Sequence, residues 1–315
     1  MRSTLLALAF ATTTAGPALA ALDAAAVNGA DPLAATDKAS TLRLEVLLDR
    51  AGASPGAIDG VMDATTEAAI AAFETMRGLQ ADGKLDADTW SALSDGAGDA
   101  VGPYTITAED VGFEPSPPNP ESYAEMAKRE RMGYHSYAEA LAEKFHMSEE
   151  LLNELNPGAD FAQGSEILVA MPGDKVEASV DRVEVDKDGQ RVRAYSGDKL
   201  VFEAPATVGS EENPSPTGTM KVTAIAPDPN YTFNPENIEG STTKETVIVP
   251  PGPNGPVGST WIDLGKPTYG IHGTPYPSKI NAMESNGCVR LTNWDAEELA
   301  GIVRPEETVV EFVGG

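Results

Sequence analysis

Apolar residues recur along this chain in two textures. Over residues 38–95, and again over 137–155, they return every three or four positions; from about residue 176 they alternate in short runs cut by Pro and Gly. In the first stretch Leu42, Leu44, Val46, Leu47 and Leu48 predict a helix ending near Gly52, and Ala57-Ile58-Asp59-Gly60 predicts a turn. Ile70, Phe73 and Met76 then mark the inner side of a second helix, with Thr65 and Thr66 where an N-cap belongs. A turn at Asp82-Gly83 precedes a short third helix through Asp88, Trp90 and Leu93. Residues 21–37, rich in Ala, Asp and Asn, and residues 96–102 read as linkers.

The middle of the chain predicts a strand at Tyr104–Thr107, a helix from Tyr137 to Phe145, and a second helix through Leu151 and Leu155 with Ser148 as its cap. A turn at Asn156-Pro157-Gly158 and a strand through Ile167 and Val169 follow, and the Pro-rich residues 112–122 break regular structure. Beyond residue 176, Val180–Val185 alternates, Asp188-Gly189 signals a hairpin, and Arg191–Tyr195 and Leu200–Phe202 read as strands. Only Asp295–Val303 reads there as a full helix. The expected fold is multidomain: a small α-helical module at 38–95, a small α+β module at 103–174 and a mainly-β, sandwich-like domain at 176–314.

Composition narrows the function classes. The 315 residues fit two or more domains at about 150 residues each. Against 22 Lys+Arg stand 49 Asp+Glu, a formal charge of −27 that repels nucleic acid and anionic lipid surfaces. Arg2, the apolar run Leu5–Phe10 and the small-x-small triplet Ala18-Leu19-Ala20 read as an export signal over residues 1–20, too short to span a bilayer, so the mature protein is expected in the periplasm or cell envelope. One cysteine excludes an internal disulfide and a Cys-rich zinc site. His135 and His146 lack a Cys or acidic partner at ligand spacing, so surface or packing roles are expected for them and neither metal nor cofactor is expected.

The lone thiol carries the candidate chemistry. Cys288 follows Gly287 in Ser285-Asn286-Gly287-Cys288-Val289-Arg290-Leu291, at a loop-to-strand junction where glycine admits unusual backbone angles and successive amides can converge on an oxyanion. A nucleophilic cysteine needs a base, and His272, in Tyr269-Gly270-Ile271-His272-Gly273-Thr274, lies upstream before a Pro275–Pro277 turn that folds the chain back.

These residues resemble known families. The run Ile271–Thr274 followed by Ser285–Asp295, with the Pro214–Gly218 turn and the Pro250–Gly258 loop, resembles the L,D-transpeptidase catalytic motif over residues 176–314. Residues 38–95 resemble the three-helix peptidoglycan-binding module, through Gly56–Gly60, Ala72-Phe73, Asp82-Gly83 and Thr89-Trp90. Residues 103–174 look like a lysin-motif glycan-binding module, through Leu155–Gly158, Gly164, Ile167 and Val169, departing from it by a long insertion after the first strand.

The catalytic resemblance implies that Cys288 attacks a diaminopimelate carbonyl of a tetrapeptide stem, releasing D-Ala, and that an amine of a second stem, or of a wall-anchored protein, resolves the thioester. It implies His272 as proton donor and acceptor, Gly273 as the carbonyl that orients it, and Gly287 as an oxyanion amide. Arg290, Asn286, Ser285 and Thr274 are the expected substrate contacts. Asn286 stands where the family usually has His. The implied partners are stem peptides and glycan strands. Water as acceptor would give an L,D-carboxypeptidase or linkage hydrolase; a degenerate site would leave a non-catalytic wall-binding protein, which the intact His272/Cys288 pair disfavours.

Overall fold

The computed structural model describes residues 22–210, 213–237, 243–282, 285 and 287–314. The export-signal reading at 1–20 and the candidate Asn286 lie outside the described residues. Helices α1 (Ala24–Asn28), α2 (Lys38–Arg50), α3 (Ala64–Arg77) and α4 (Ala87–Ser94) form the first unit. Asp37 starts α2 through a reciprocal capping box with Ser40. Helix α3 is capped by Asp63 rather than by Thr65 or Thr66. The Asp63 carboxylate reaches both threonine amides, at 2.9 and 3.0 Å, and Thr66 turns its hydroxyl inward to Glu45.

The second unit pairs β1 (Val101–Thr105) antiparallel with β2 (Glu166–Ala170), and α5 (Tyr123–Met126), α6 (Tyr137–Lys144) and α7 (Glu149–Leu155) lie between them in sequence. Both expected linkers proved structured. Val27 of α1 is fully buried, and the Asn28 amide bonds the backbone of Ala100 and Val101 at 2.8–3.0 Å, joining α1 to β1.

Helix α2 explains why the units do not hang as separate beads. Its Leu42 and Val46 enter a core with Ile58, Leu141, Leu151 and Val169, while Leu44, Leu47 and Leu48 enter another with Phe73, Leu93 and Leu200. A helix whose apolar side chains point in two directions is held between two cores, and each such side chain contributes about 1.5–3 kcal/mol on burial.

The third unit holds β3 (Arg182–Asp186), β4 (Arg191–Ser196), β5 (Lys199–Pro205), β6 (Gly218–Lys221), β7 (Ala224–Pro227), β8 (Tyr231–Phe233), β9 (Val247–Val249), β10 (Thr260–Asp263), β11 (Gly270–His272), β12 (Val289–Arg290), α8 (Asn293–Ile302) and β13 (Val309–Val313). One sheet runs β5-β4-β3-β13-β6 and another β12-β11-β10-β7; β8 and β9 form a separate pair. Val183, Val185 and Phe202 of the first sheet share a core with Ile262, Ile271 and Val289 of the second and with Leu299 and Ile302 of α8. No described helix is long and apolar enough to cross a membrane.

Polar contacts tie the units together. The buried pair Arg191–Glu203 closes at 2.7 Å, and Arg191 also donates to the Ser54 carbonyl of the first unit. His146, just after α6, holds Asp49 of α2 at 2.9 Å and stacks on Trp294 of α8. Its acidic partner comes from tertiary folding, which local spacing does not reveal.

Glu45 of α2 accepts from the amides of Asp59 and Gly60, and burial raises its carboxyl from 4.5 to about 8. The folded chain therefore keeps a proton that the unfolded chain releases. That contribution to stability is complete below about pH 4.5 and is lost as pH rises to about 8. Glu45→Gln keeps the acceptor without the titration. Its Tm relative to the parent should rise between pH 5 and pH 8; a pH-independent difference would show that Glu45 does not titrate this way.

Candidate active site

Two neighbouring parallel strands build the site. Ile271 pairs with Val289 and His272 with Arg290, so the same register sets Cys288 opposite Gly270. Side chains two positions apart share a sheet face, which places Cys288 and His272 as diagonal neighbours on one face.

His272 is buried and tightly held. Its Nδ1 lies 2.6 Å from the Gly273 carbonyl, which sets the proton on Nδ1 and leaves Nε2 as the acceptor. Trp261, its register partner on β10, stacks on the ring at 5.5 Å and 16°. The indole fits because Gly270 has no side chain: a Cβ there would stand 2.4 Å from it.

Burial, and then the positive charge of Arg290, drive the imidazole down to about 3. Burial also pushes the Cys288 thiol up, against the opposing pull of the Gly270 backbone and Arg290. The resting pair is thus a neutral imidazole and a neutral thiol, and Sγ donates to the Thr268 carbonyl at 3.2 Å.

The loop before Cys288 is fixed from within. Gly287 has φ +98, and its carbonyl accepts the Ser215 hydroxyl at 3.0 Å. Ser285 Oγ donates to the Cys288 carbonyl at 2.5 Å and accepts the Gly287 amide at 3.2 Å. The Gly287 amide is thus engaged by Ser285, which is itself buried. Thr274 is likewise buried; its hydroxyl accepts the Tyr276 amide and shapes the turn. The Arg290 backbone exchanges hydrogen bonds with Thr207 at 2.9 Å in both directions, while its charge acts on His272, Cys288, Tyr123 and Tyr231.

Several residues at the site carry no local sequence signal. The Pro-rich insertion leaves its own unit and docks on the catalytic one. Arg131 forms a two-pronged pair with Asp228 at 2.6 and 2.9 Å, and Met132 donates its amide to the Pro251 carbonyl at 2.9 Å and accepts the Asn254 amide at 3.0 Å, both in the Pro250–Gly258 loop. Tyr123 of α5 stacks on Phe233 at 4.3 Å and packs near Tyr231, whose hydroxyl feels the charges of Cys288 and Arg290. On the far side of the His272–Thr274 turn, a cleft of about 400 Å³ is lined by Pro275–Ser278, Glu139, Glu149 and Glu150; Cys288 does not line it.

Residues 180–311 match the family model of the YkuD L,D-transpeptidase catalytic domain, and residues 39–93 match a peptidoglycan binding domain. A Bacillus licheniformis protein named as the L,D-transpeptidase YkuD is 33% identical over 171 residues, covering 52% of this chain and 87% of that one. The chain belongs to the L,D-transpeptidase family. A second L,D-transpeptidase relative by name, YbiS of Escherichia coli K12, is 28% identical over 56% of this chain and 59% of its own length. Among solved structures, the catalytic domain of the Enterococcus faecium L,D-transpeptidase aligns at 20% identity and TM-score 0.32, over 45% of this chain and 100% of that one. L,D-transpeptidase 3 from Mycobacterium tuberculosis aligns at 13% identity and TM-score 0.35, over 47% and 68%. The L,D-transpeptidase match begins at residue 180, so Tyr123 approaches Arg290, and Arg131 docks on Asp228, from outside it.

A buried neutral imidazole beside a half-buried neutral thiol has a definite reactivity profile. Alkylation of Cys288 by iodoacetamide should be slow at pH 6 and climb through pH 8 and above, since the thiolate is the nucleophile and burial raises the thiol. A reactivity plateau between pH 4 and pH 7, the signature of a preformed thiolate–imidazolium pair, would contradict this.

Proposed function

We propose that this L,D-transpeptidase forms 3→3 cross-links in peptidoglycan through a thioester on Cys288. The observation that carries the reading is the placement of Cys288 immediately before β12, the parallel neighbour of the strand that ends in His272, with His272 tautomer-locked by Gly273. In this mechanism Nε2 of His272 takes the thiol proton as Sγ attacks the diaminopimelate carbonyl of the donor stem. The tetrahedral intermediate collapses, the C–N bond to D-Ala breaks, and the imidazolium returns its proton to the departing amine. The acceptor amine then attacks the thioester, gives its proton to His272, and Sγ leaves and is reprotonated.

The low basicity of buried His272 suits this sequence: proton and negative charge move together within one site, and no lasting imidazolium is needed. The Cys288 amide is the proposed oxyanion donor, because Gly287 is engaged elsewhere. Arg290 supplies positive charge for the stem's carboxylates. The helical unit, matched as a peptidoglycan binding domain, and the lysin-motif-like unit are proposed to hold glycan strands, and the enzyme is proposed to act in the cell envelope after export.

Mass spectrometry of muropeptides incubated with the pure protein tests the reading. The parent should yield 3→3 dimers and free D-Ala, and Cys288→Ala should yield neither. Tripeptide stems without dimers would identify water as the acceptor; no change in the muropeptides would overturn an active enzyme. His272→Ala should slow acylation by on the order of 10²–10⁴-fold, as loss of a general base does. A carbapenem should add once to the parent and not to Cys288→Ala, read on the intact mass.

A further inference from the structure

The carbonyl that holds His272 rests on a support reaching outside the catalytic match. Asn293, the first residue of α8, is buried with its amide wedged between two glycines. A Cβ on Gly273 would stand 2.2 Å from Asn293 Oδ1, and one on Gly258 would stand 2.1 Å from it. The Asn293 amide thus sets how deeply the Gly273 peptide sits, and the Gly273 carbonyl meets His272 Nδ1.

Every polar atom of that amide is committed. Oδ1 accepts the Ser259 amide at 3.1 Å, and Nδ2 donates to the Pro253 carbonyl at 3.2 Å. Nδ2 also donates to both oxygens of the Glu143 carboxyl, at 2.9 and 3.2 Å. With an acceptor required by Ser259 and donors required by Pro253 and Glu143, the amide has one orientation. Glu143 lies on α6 of the second unit, and buried within reach of Tyr134 it has little freedom to move.

We infer that Glu143 is a positioning residue for the catalytic histidine, acting through Asn293 and Gly273. The lysin-motif-like unit thereby completes the active site of the unit that follows it. This inference rests on the assignment of His272 as the base. Without Glu143 one Nδ2 hydrogen loses its partner inside the protein, where an unpaired donor is costly. The amide then gains other orientations, and the Gly273 carbonyl loses its fixed seat. Substrate contacts are untouched, so the defect belongs in kcat and not in KM.

The experiment is a series at position 143 in the full chain, read as the rate of Cys288 acylation by a carbapenem and as turnover of stem peptide. Glu143→Gln keeps an acceptor oxygen at the same reach and should stay within about threefold of the parent. Glu143→Asp, which withdraws the carboxyl by one methylene and is the variant best able to fold, should lose on the order of tenfold in kcat at unchanged KM, and Glu143→Leu at least as much. The ring spectrum of ¹⁵N-labelled histidine gives a readout independent of turnover. The hydrogen-bonded Nδ1–H resonance of His272 should persist in the parent and in Glu143→Gln and weaken in the other two. Parent-like acylation and an unchanged His272 resonance in Glu143→Asp would overturn the inference, as would an equal loss in Glu143→Gln. Failure of the parent itself to acylate would instead overturn the assignment of the His272/Cys288 pair, and this inference with it.

Discussion

The site depends on one register. Strands β11 and β12 run parallel, with Ile271 opposite Val289. Because side chains alternate between faces, a one-residue slip of β12 against β11 would carry Cys288 to the opposite face from His272 and turn Val289 out of the core that it shares with Ile271. The apolar packing of those two residues against Ile262 and Leu299 therefore fixes the chemistry as well as the fold. A parallel pair needs a crossover connection, and the one here also supplies the Pro275–Ser278 turn, Ser285 and Gly287, so the segment that permits the pairing carries the surroundings of Cys288 with it.

Much of this arrangement was legible in the sequence. The single cysteine, the glycine before it and the histidine upstream lie close together, and their types limit the chemistry they can perform. The alternation after residue 176 and the three-to-four spacing before it gave the right classes of element. What escaped was set by contacts between distant segments. Trp261 reads as an ordinary strand residue until its register partner is known to be His272. Asn293 and Glu143 lie far apart in sequence, and nothing near either marks it as one half of a buried pair. Residues 21–37 and 96–102 have the composition of linkers; one side chain, Asn28, converts their junction into structure by satisfying two backbone amides. Thr65 and Thr66 were reasonable caps, but Asp63 reaches the same amides from the preceding turn.

The surroundings of the thiol show how burial and charge divide their work. Desolvation holds both members of the pair neutral, while Arg290 favours the thiolate and opposes the imidazolium. A proton moved from sulfur to nitrogen in that enclosure creates two charges that need each other. Reaction is favoured when a carbonyl is present to take up the negative charge, and solvent alone offers little inducement. For the lone thiol of the chain this neutrality also limits adventitious oxidation, which follows thiolate character.

The position of β13 has a consequence for how the chain acquires activity. This strand, residues 309–313, lies between β3 and β6, pairing parallel with one and antiparallel with the other, so β6 joins the sheet only through it. Its partner β3 comes at the start of the catalytic segment, and the closure is among the longest-range pairings in the fold. Contacts of such separation form late and slowly. A chain emerging from its N-terminus can bury α2 and assemble its first two units early, while the sheet against which Ile271 and Val289 pack waits for the final strand. Assembly of the Cys288 and His272 surroundings is in that sense timed by the order of the polypeptide itself: the two N-terminal units first, the thiol's setting last.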